Sequence, residues 1–201
     1  MRNILRCHPA MSPITHFLMG WAVAISAPSL TKRERAMVTC ASVAPDVDGL
    51  GIIAEGLTHN SPHPLNWWSD YHHVLGHNLG LALIVSVLGA IFARQKIKTT
   101  VLVFFSFHLH LLADLVGARG PDGDQWPIPY LAPFSKQFHL TWSGQWALNA
   151  WPNFVITTAL IVIAIVLAWR RGISPLEIFS RKADAMFVNA LRVRFPQKIA
   201  S

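Results

Sequence analysis

Three ionisable side chains, His108, His110 and Asp114, lie inside the apolar run Val101–Val116. With its flanks that run is long enough to enter a bilayer. An ionisable side chain in lipid costs about 2.5–3.5 kcal/mol even on the lenient insertion scale, so it is expected to face a partner or a functional cavity. His110 and Asp114 are four residues apart and share one face of a helix. An imidazole and a carboxylate on one helical face form a metal-ligand pair.

The rest of the chain has the same character. Of its 201 residues, 52% are hydrophobic and 13% charged, against about 25% charged in soluble domains. Five apolar segments stand out: Ile14 to Pro28, Ala36 to about Ile53, Leu79 to Ala93, Thr99 to Val116 and Phe154 to Trp169. A full span needs about 20 residues, so the fourth and fifth are the cleanest candidates. The second is interrupted by Pro45-Asp46-Val47-Asp48-Gly49. Lipid admits only helices and closed barrels, and these runs lack the alternation of barrel strands. The expected fold is therefore all-α: a polytopic helical membrane bundle of about five apolar helices, followed by a C-terminal amphipathic helix. Residues 1–172 form the membrane domain and 173–201 the basic tail. In the tail, Ser174-Pro175-Leu176-Glu177 reads as a helix start with a capping box. Cys7 and Cys40 have no metal spacing. His8, Pro9 and Pro13 break what would otherwise be a signal-peptide core. No internal repeat is visible.

Basic residues set the orientation. Three lie between segments one and two, three between segments three and four, and seven after segment five, which makes 13 of the 17. If all five segments cross, these places share one side, and the positive-inside rule makes it the cytoplasm. Arg2 and Arg6 would then lie outside, a modest violation. The same distribution accounts for the net charge of +7 without nucleic acid as a partner.

The opposite, periplasmic side receives every promising ligand. His16 opens segment one. Asp46 and Asp48 sit on the Pro–Gly turn of segment two, where carboxylates suit a hard or borderline cation. His72, His73 and His77 form the densest imidazole cluster, and His110 and Asp114 end segment four. His108 points away from His110 on a helix and is expected to pack. His59, His63 and His139, with Asp122 and Asp124 of a turn-rich loop, are weaker candidates. Trp126, Trp142, Trp146 and Trp151 suit a membrane–water interface.

The order Thr15-His16, Pro45-Asp46-x-Asp48, His72 to His77, His110-x-x-x-Asp114, Trp126-Pro127 and Pro133-Phe134-Ser135 resembles the bacterial membrane-bound, metal-dependent hydrolases of the inner membrane. The likeness covers roughly residues 11–170. That family has a His-Arg-x-x-Thr-His box; here it reads His72-His73-Val74-Leu75-Gly76-His77, so either His72 or His73 takes the ligand role. The chain is more distantly similar to zinc-dependent phospholipase C and single-strand nucleases, which string His, Asp, His and His-x-x-x-Asp in this order. Their later His-x-x-x-Glu box is missing, since Ser143 stands four residues after His139.

The resemblance and the residues together imply a hydrolase acting on a phosphoester, with a phospholipid headgroup as one candidate. Its metal ligands would be His16, Asp46, Asp48, His72, His77, His110 and Asp114. Asp48 and Asp114 would be catalytic. One or two divalent ions are expected, zinc first, with manganese or iron also compatible with this donor mix. Two other readings fit the same residues: a metal or proton transporter, and a helical module whose polar groups join its helices.

Overall fold

The computed structural model describes residues 13–196 except 73, 121–122 and 136. His73, Asp122, His8, Cys7, Arg2 and Arg6, all weighed above, lie outside the described residues.

The described chain is helical. Its α-helices are α1 (Pro13–Ser26), α2 (Lys32–Ala41), α3 (Gly51–Thr58), α4 (Trp67–Tyr71), α5 (Leu79–Phe92), α6 (Lys96–Gly117), α7 (Trp151–Arg171) and α8 (Arg181–Arg194). Two 3-10 helices, Ala44–Leu50 and Pro175–Ile178, join them. Among the described residues, β structure is limited to two isolated bridges, Arg119 with Ala147 and Ile128 with Leu140.

Helices α6 and α7 are long and apolar enough to cross a membrane. The second apolar segment is a bent pair, α2 and the stretch Ala44–Thr58, angled at 58°. The break falls at Ser42 and Val43, just before the Pro45–Gly49 stretch. There Pro45 starts a 3-10 helix rather than continuing α2, since proline has no N–H to donate. Helices α1 and α5, 14 residues each, are shorter apolar helices. The outer faces of α5 and α7 expose Leu83, Ile84, Val87, Ile91, Val155 and Val162, which suits lipid contact.

The bundle packs in antiparallel order. Helix α6 lies against α5 and α2, and α1 lies between α2 and α7. Trp21, Ile25 and Ala164 fill the space between α1 and α7. Ala24, Val38, Ala41 and Val103 fill the space between α1, α2 and α6. Gly20 lets α1 and α2 close up, because a Cβ there would stand 2.1 Å from Ser42 Oγ. This order gives the molecule two ends. One gathers the start of α1, the end of α2, the start of α5 and the end of α6. The other gathers the start of α2, the α5–α6 turn and the end of α7.

The tail departs from the sequence expectation. Ser174 caps only the 3-10 turn, and Ser180 caps a separate α8. Glu177 does not close a capping box. Its carboxylate takes a two-pronged ion pair from Arg35 at 2.6 and 2.7 Å, and the Ser174 N–H donates to Asp184 instead.

Candidate metal centre

Four elements bring donors to one point. Helix α1 supplies His16 from its first turn, the 3-10 turn supplies Asp46, the loop before α5 supplies His77, and α6 supplies His110 and Asp114. At 1.5 Å per residue, His110 stands about 10 Å from the end of α6, beyond its midpoint. His16, His77 and His110 are essentially inaccessible to solvent and Asp114 is buried.

Asp114 is the hub. Its Oδ1 lies 3.3 Å from His16 Nε2, and its Oδ2 lies 3.1 Å from His77 Nε2 and 3.0 Å from His110 Nε2. Asp46 Oδ1 is 3.6 Å from His110 Nε2. One donor atom from each of His16, Asp46, His110 and Asp114 falls within 4.8 Å of all the others. His16 and His110 stack at 3.8 Å between ring centroids.

The protonation of His110 exposes what this arrangement lacks. Its Nδ1 lies 2.7 Å from the Ser42 carbonyl oxygen, which only accepts, so Nδ1 carries the proton. In the neutral ring Nε2 is then an acceptor. That lone pair faces Asp114 Oδ2, Asp46 Oδ1 and, at 3.2 Å, His77 Nε2. So many acceptors meet in one dry volume only around shared positive charge, either protons or a cation. Two further atoms point the same way: His16 Nδ1 and Asp46 Oδ2 are buried without a hydrogen-bond partner. The clustered donors, two imidazoles and two carboxylates with the His77 imidazole beside them, fit a borderline divalent ion that would replace the protons they share.

Asp48 and His72 stand one layer out. Asp48 Oδ1 lies 3.0 Å from His72 Nδ1 and its Oδ2 lies 3.4 Å from His77 Nδ1. The Gly76 N–H donates to Oδ2 at 2.8 Å. A carboxylate on Nδ1 leaves His77 Nε2 aimed at Asp114, the arrangement by which outer residues orient a metal-binding histidine. Burial disfavours the His77 imidazolium, but hydrogen bonds to Asp114 and Asp48 outweigh it and push its pKa up to about 9. Trp68 stacks on His72 at 3.7 Å, and Trp126 meets its edge at 5.7 Å.

The box His72–His77 is not a helical face, because α5 begins only at Leu79 under an Asn78 cap. His108 turns away, as its position on α6 predicts, and lies 2.9 Å from the Tyr130 hydroxyl. His59, His63, His139 and Asp124 are exposed and apart from the cluster.

Several supporting residues carried no sequence signal of their own. Ser42 offers its carbonyl to His110, and its hydroxyl donates to the His16 carbonyl at 2.7 Å. Gln145 donates to the Asp114 backbone carbonyl at 2.9 Å, closing the irregular segment over the end of α6. Gly76 is legible only in retrospect, as the small residue inside the histidine box.

A family model described as YdjM inner membrane protein matches residues 11–184. No curated protein and no solved structure matches the chain.

Proposed function

The chain belongs to the YdjM inner membrane protein family, and on that premise we propose that it is a membrane-embedded, metal-dependent hydrolase of phosphoesters. The observation that carries this reading is the ring of acceptors around His110 Nε2, buried and drawn from four separate elements. His16, Asp46, His110 and Asp114 hold the ion, zinc by preference, and His77 completes the set or holds a second ion. Such an ion acts as a Lewis acid and lowers the pKa of a water from 15.7 to about 7.

The protein's own groups do the rest. Asp46 Oδ2, without a hydrogen-bond partner, accepts the proton of the attacking water as oxygen adds to phosphorus and the ester P–O bond breaks, and that proton then passes to the departing alkoxide to give the alcohol. Asp114 fixes three imidazoles through two oxygens. Asp48 is a positioning residue in this arrangement rather than a ligand, because its oxygens are engaged by His72, His77 and Gly76.

Location supports a lipid substrate. Beside the site, the 3-10 turn and the helices α3 and α4 expose Val47, Leu50, Ile53, Leu57 and Trp67, an apolar rim suited to the headgroup boundary. The positive-inside rule favours the basic end in the cytoplasm, which would put the metal centre on the periplasmic side. A transporter is less well supported, since its ligands gather near the midplane between repeated halves. Here they lie past the middle of α6, in a chain without a visible repeat.

Elemental analysis of the detergent-purified protein tests the reading, together with hydrolysis of bis-p-nitrophenyl phosphate and of phospholipid in mixed micelles. The wild type is expected to hold at least one zinc per chain and to cleave a phosphoester. His110→Ala and Asp114→Ala are expected to lose both properties while keeping their helical circular dichroism. Full metal content in both variants, or a metal-loaded wild type inert towards every phosphoester, would overturn it.

A further inference from the structure

The end of the bundle opposite the metal centre holds a cavity of about 320 Å³. Four cations from three elements line it: Lys32 and Arg33 from the first turn of α2, Arg94 from the α5–α6 turn, and Arg181 from the start of α8, with Thr31 and Phe92 between them. We infer that this cavity binds the phosphodiester of an anionic glycerophospholipid headgroup.

The charge balance around it is the first reason. Among the described residues, the acids at this end are Glu34, Glu177 and Asp184, and each is already engaged. Glu34 is buried in the cavity wall. Its Oε2 accepts the Thr31 N–H and hydroxyl at 2.8 and 2.7 Å, and its Oε1 accepts the Gln95 N–H at 2.7 Å. Glu177 is held by Arg35, and Asp184 accepts from Ser174 at 2.6 and 2.7 Å. Among the described residues, no salt bridge joins Lys32, Arg33, Arg94 or Arg181 to a carboxylate. The cavity therefore carries four cations against the single carboxylate of Glu34, which is turned to backbone and hydroxyl donors, and keeps a net positive charge.

The second reason is that the cations are held in place. The Arg33 guanidinium lies 5.4 Å over the Phe92 ring, a cation–π contact that fixes its direction. The Arg35–Glu177 pair ties α2 to the tail, which brings the start of α8 and Arg181 to the rim. The third reason is position. Phe92 and the apolar face of α5 are exposed beside the cavity, so acyl chains have an apolar surface to follow while the headgroup enters. Basic pockets between membrane helices on the cytoplasmic side are recognised sites for anionic headgroups. The cytoplasmic placement rests on the proposed orientation, whereas the cavity and its charge do not.

Native mass spectrometry of the full-length protein in detergent, titrated with phosphatidylglycerol, phosphatidylcholine or inorganic phosphate, tests this. One phosphatidylglycerol per chain is expected to bind ahead of phosphatidylcholine. The double variant Arg33→Gln/Arg94→Gln is expected to weaken it about thirtyfold, from the loss of two headgroup cations. Arg181→Gln, at an exposed position, gives a second and smaller loss without touching the bundle core. Metal content should be unchanged in all three proteins, which separates this site from the metal centre. Equal retention of both lipids, or unchanged phosphatidylglycerol affinity in both variants, would overturn the inference. Displacement of the lipid by an equal concentration of inorganic phosphate would also do so, marking the cavity as a site for a free anion.

Discussion

Gly76 shows how tightly the histidine box is fitted to the turn that carries the acids. A Cβ at Gly76 would stand 1.9 Å from the Pro45 carbonyl oxygen and 2.8 Å from its carbon. Those are backbone atoms of the turn bearing Asp46 and Asp48, so the clash cannot be relieved by a side-chain rotation. Gly76→Ala is expected to lower stability by about 1–3 kcal/mol, the usual cost of overpacking. It should also cut metal content, because the shift that relieves the clash draws the residue 76 N–H away from Asp48. Thermal unfolding and elemental analysis would check both, and an alanine variant with full metal and unchanged Tm would contradict the fit. Ser42→Ala makes the converse case. The bond to His110 uses the Ser42 backbone carbonyl and survives, while the hydroxyl bonds to His16 and Thr39 are lost. Metal content should be retained with a loss of about 1 kcal/mol, and metal loss would mean that the hydroxyl does more than join α1 to α2. Individual side chains were legible in the sequence where burial makes a charge expensive: His110 and Asp114 announce themselves inside an apolar run. Ser42 and Gln145 did not, because they act through backbone atoms or on them, and Gly76 did not, because the backbone that demands a glycine there, at Pro45, is distant in sequence.

Between elements, the decisive contacts are polar and few. Arg35 and Glu177 join α2 to the tail across 142 residues, with both side chains largely buried. Removing one partner of a buried pair leaves the other charge uncompensated, at a cost of about 3–5 kcal/mol. Glu177→Ala should therefore lower Tm sharply, whereas the double variant Arg35→Met/Glu177→Leu should recover much of the loss. Equal destabilisation by the single and double variants would show that the pair matters through shape rather than charge. The sequence pointed elsewhere here, reading Glu177 as a local capping partner of Ser174. A carboxylate three residues after a serine satisfies the capping pattern, but a guanidinium brought in by the tertiary fold competes better than a backbone N–H. The same pattern at Thr31 and Glu34 is a true capping box, yet that stretch was legible only as a run of charge. Helix existence was read well because apolar length is a strong signal. The 58° break was foreshadowed by Pro45, but the direction of the bend depends on the packing of α3 and the 3-10 stretch against α4.

At the scale of the whole molecule, the two ends are chemically opposite: one gathers imidazoles and carboxylates, the other most of the lysines and arginines. A proposed metal centre made of four elements acts as a clasp, since an ion bound only by the folded state stabilises it by mass action. Chelation by EDTA is expected to lower Tm, and zinc should restore it in the wild type but not in Asp114→Ala. An identical Tm with and without chelator would argue against a bound ion. The polarity of the ends also predicts a topology that can be measured. Transferring Arg170, Arg171 and the tail charges outward would oppose the positive-inside bias that 13 of the 17 basic residues share. A green fluorescent protein fused after residue 201 should therefore fluoresce, which requires the cytoplasm. Alkaline phosphatase fused after residue 124, in the loop that follows α6, should be active, which requires the periplasm. The reverse pair of results would turn the molecule over and place the acid and histidine cluster inside the cell, where an outer-leaflet headgroup could not be its substrate. An active phosphatase at both positions would instead mean that α7 does not cross, although its 21 residues are long enough to do so and its apolar outer face would then have no lipid to cover it.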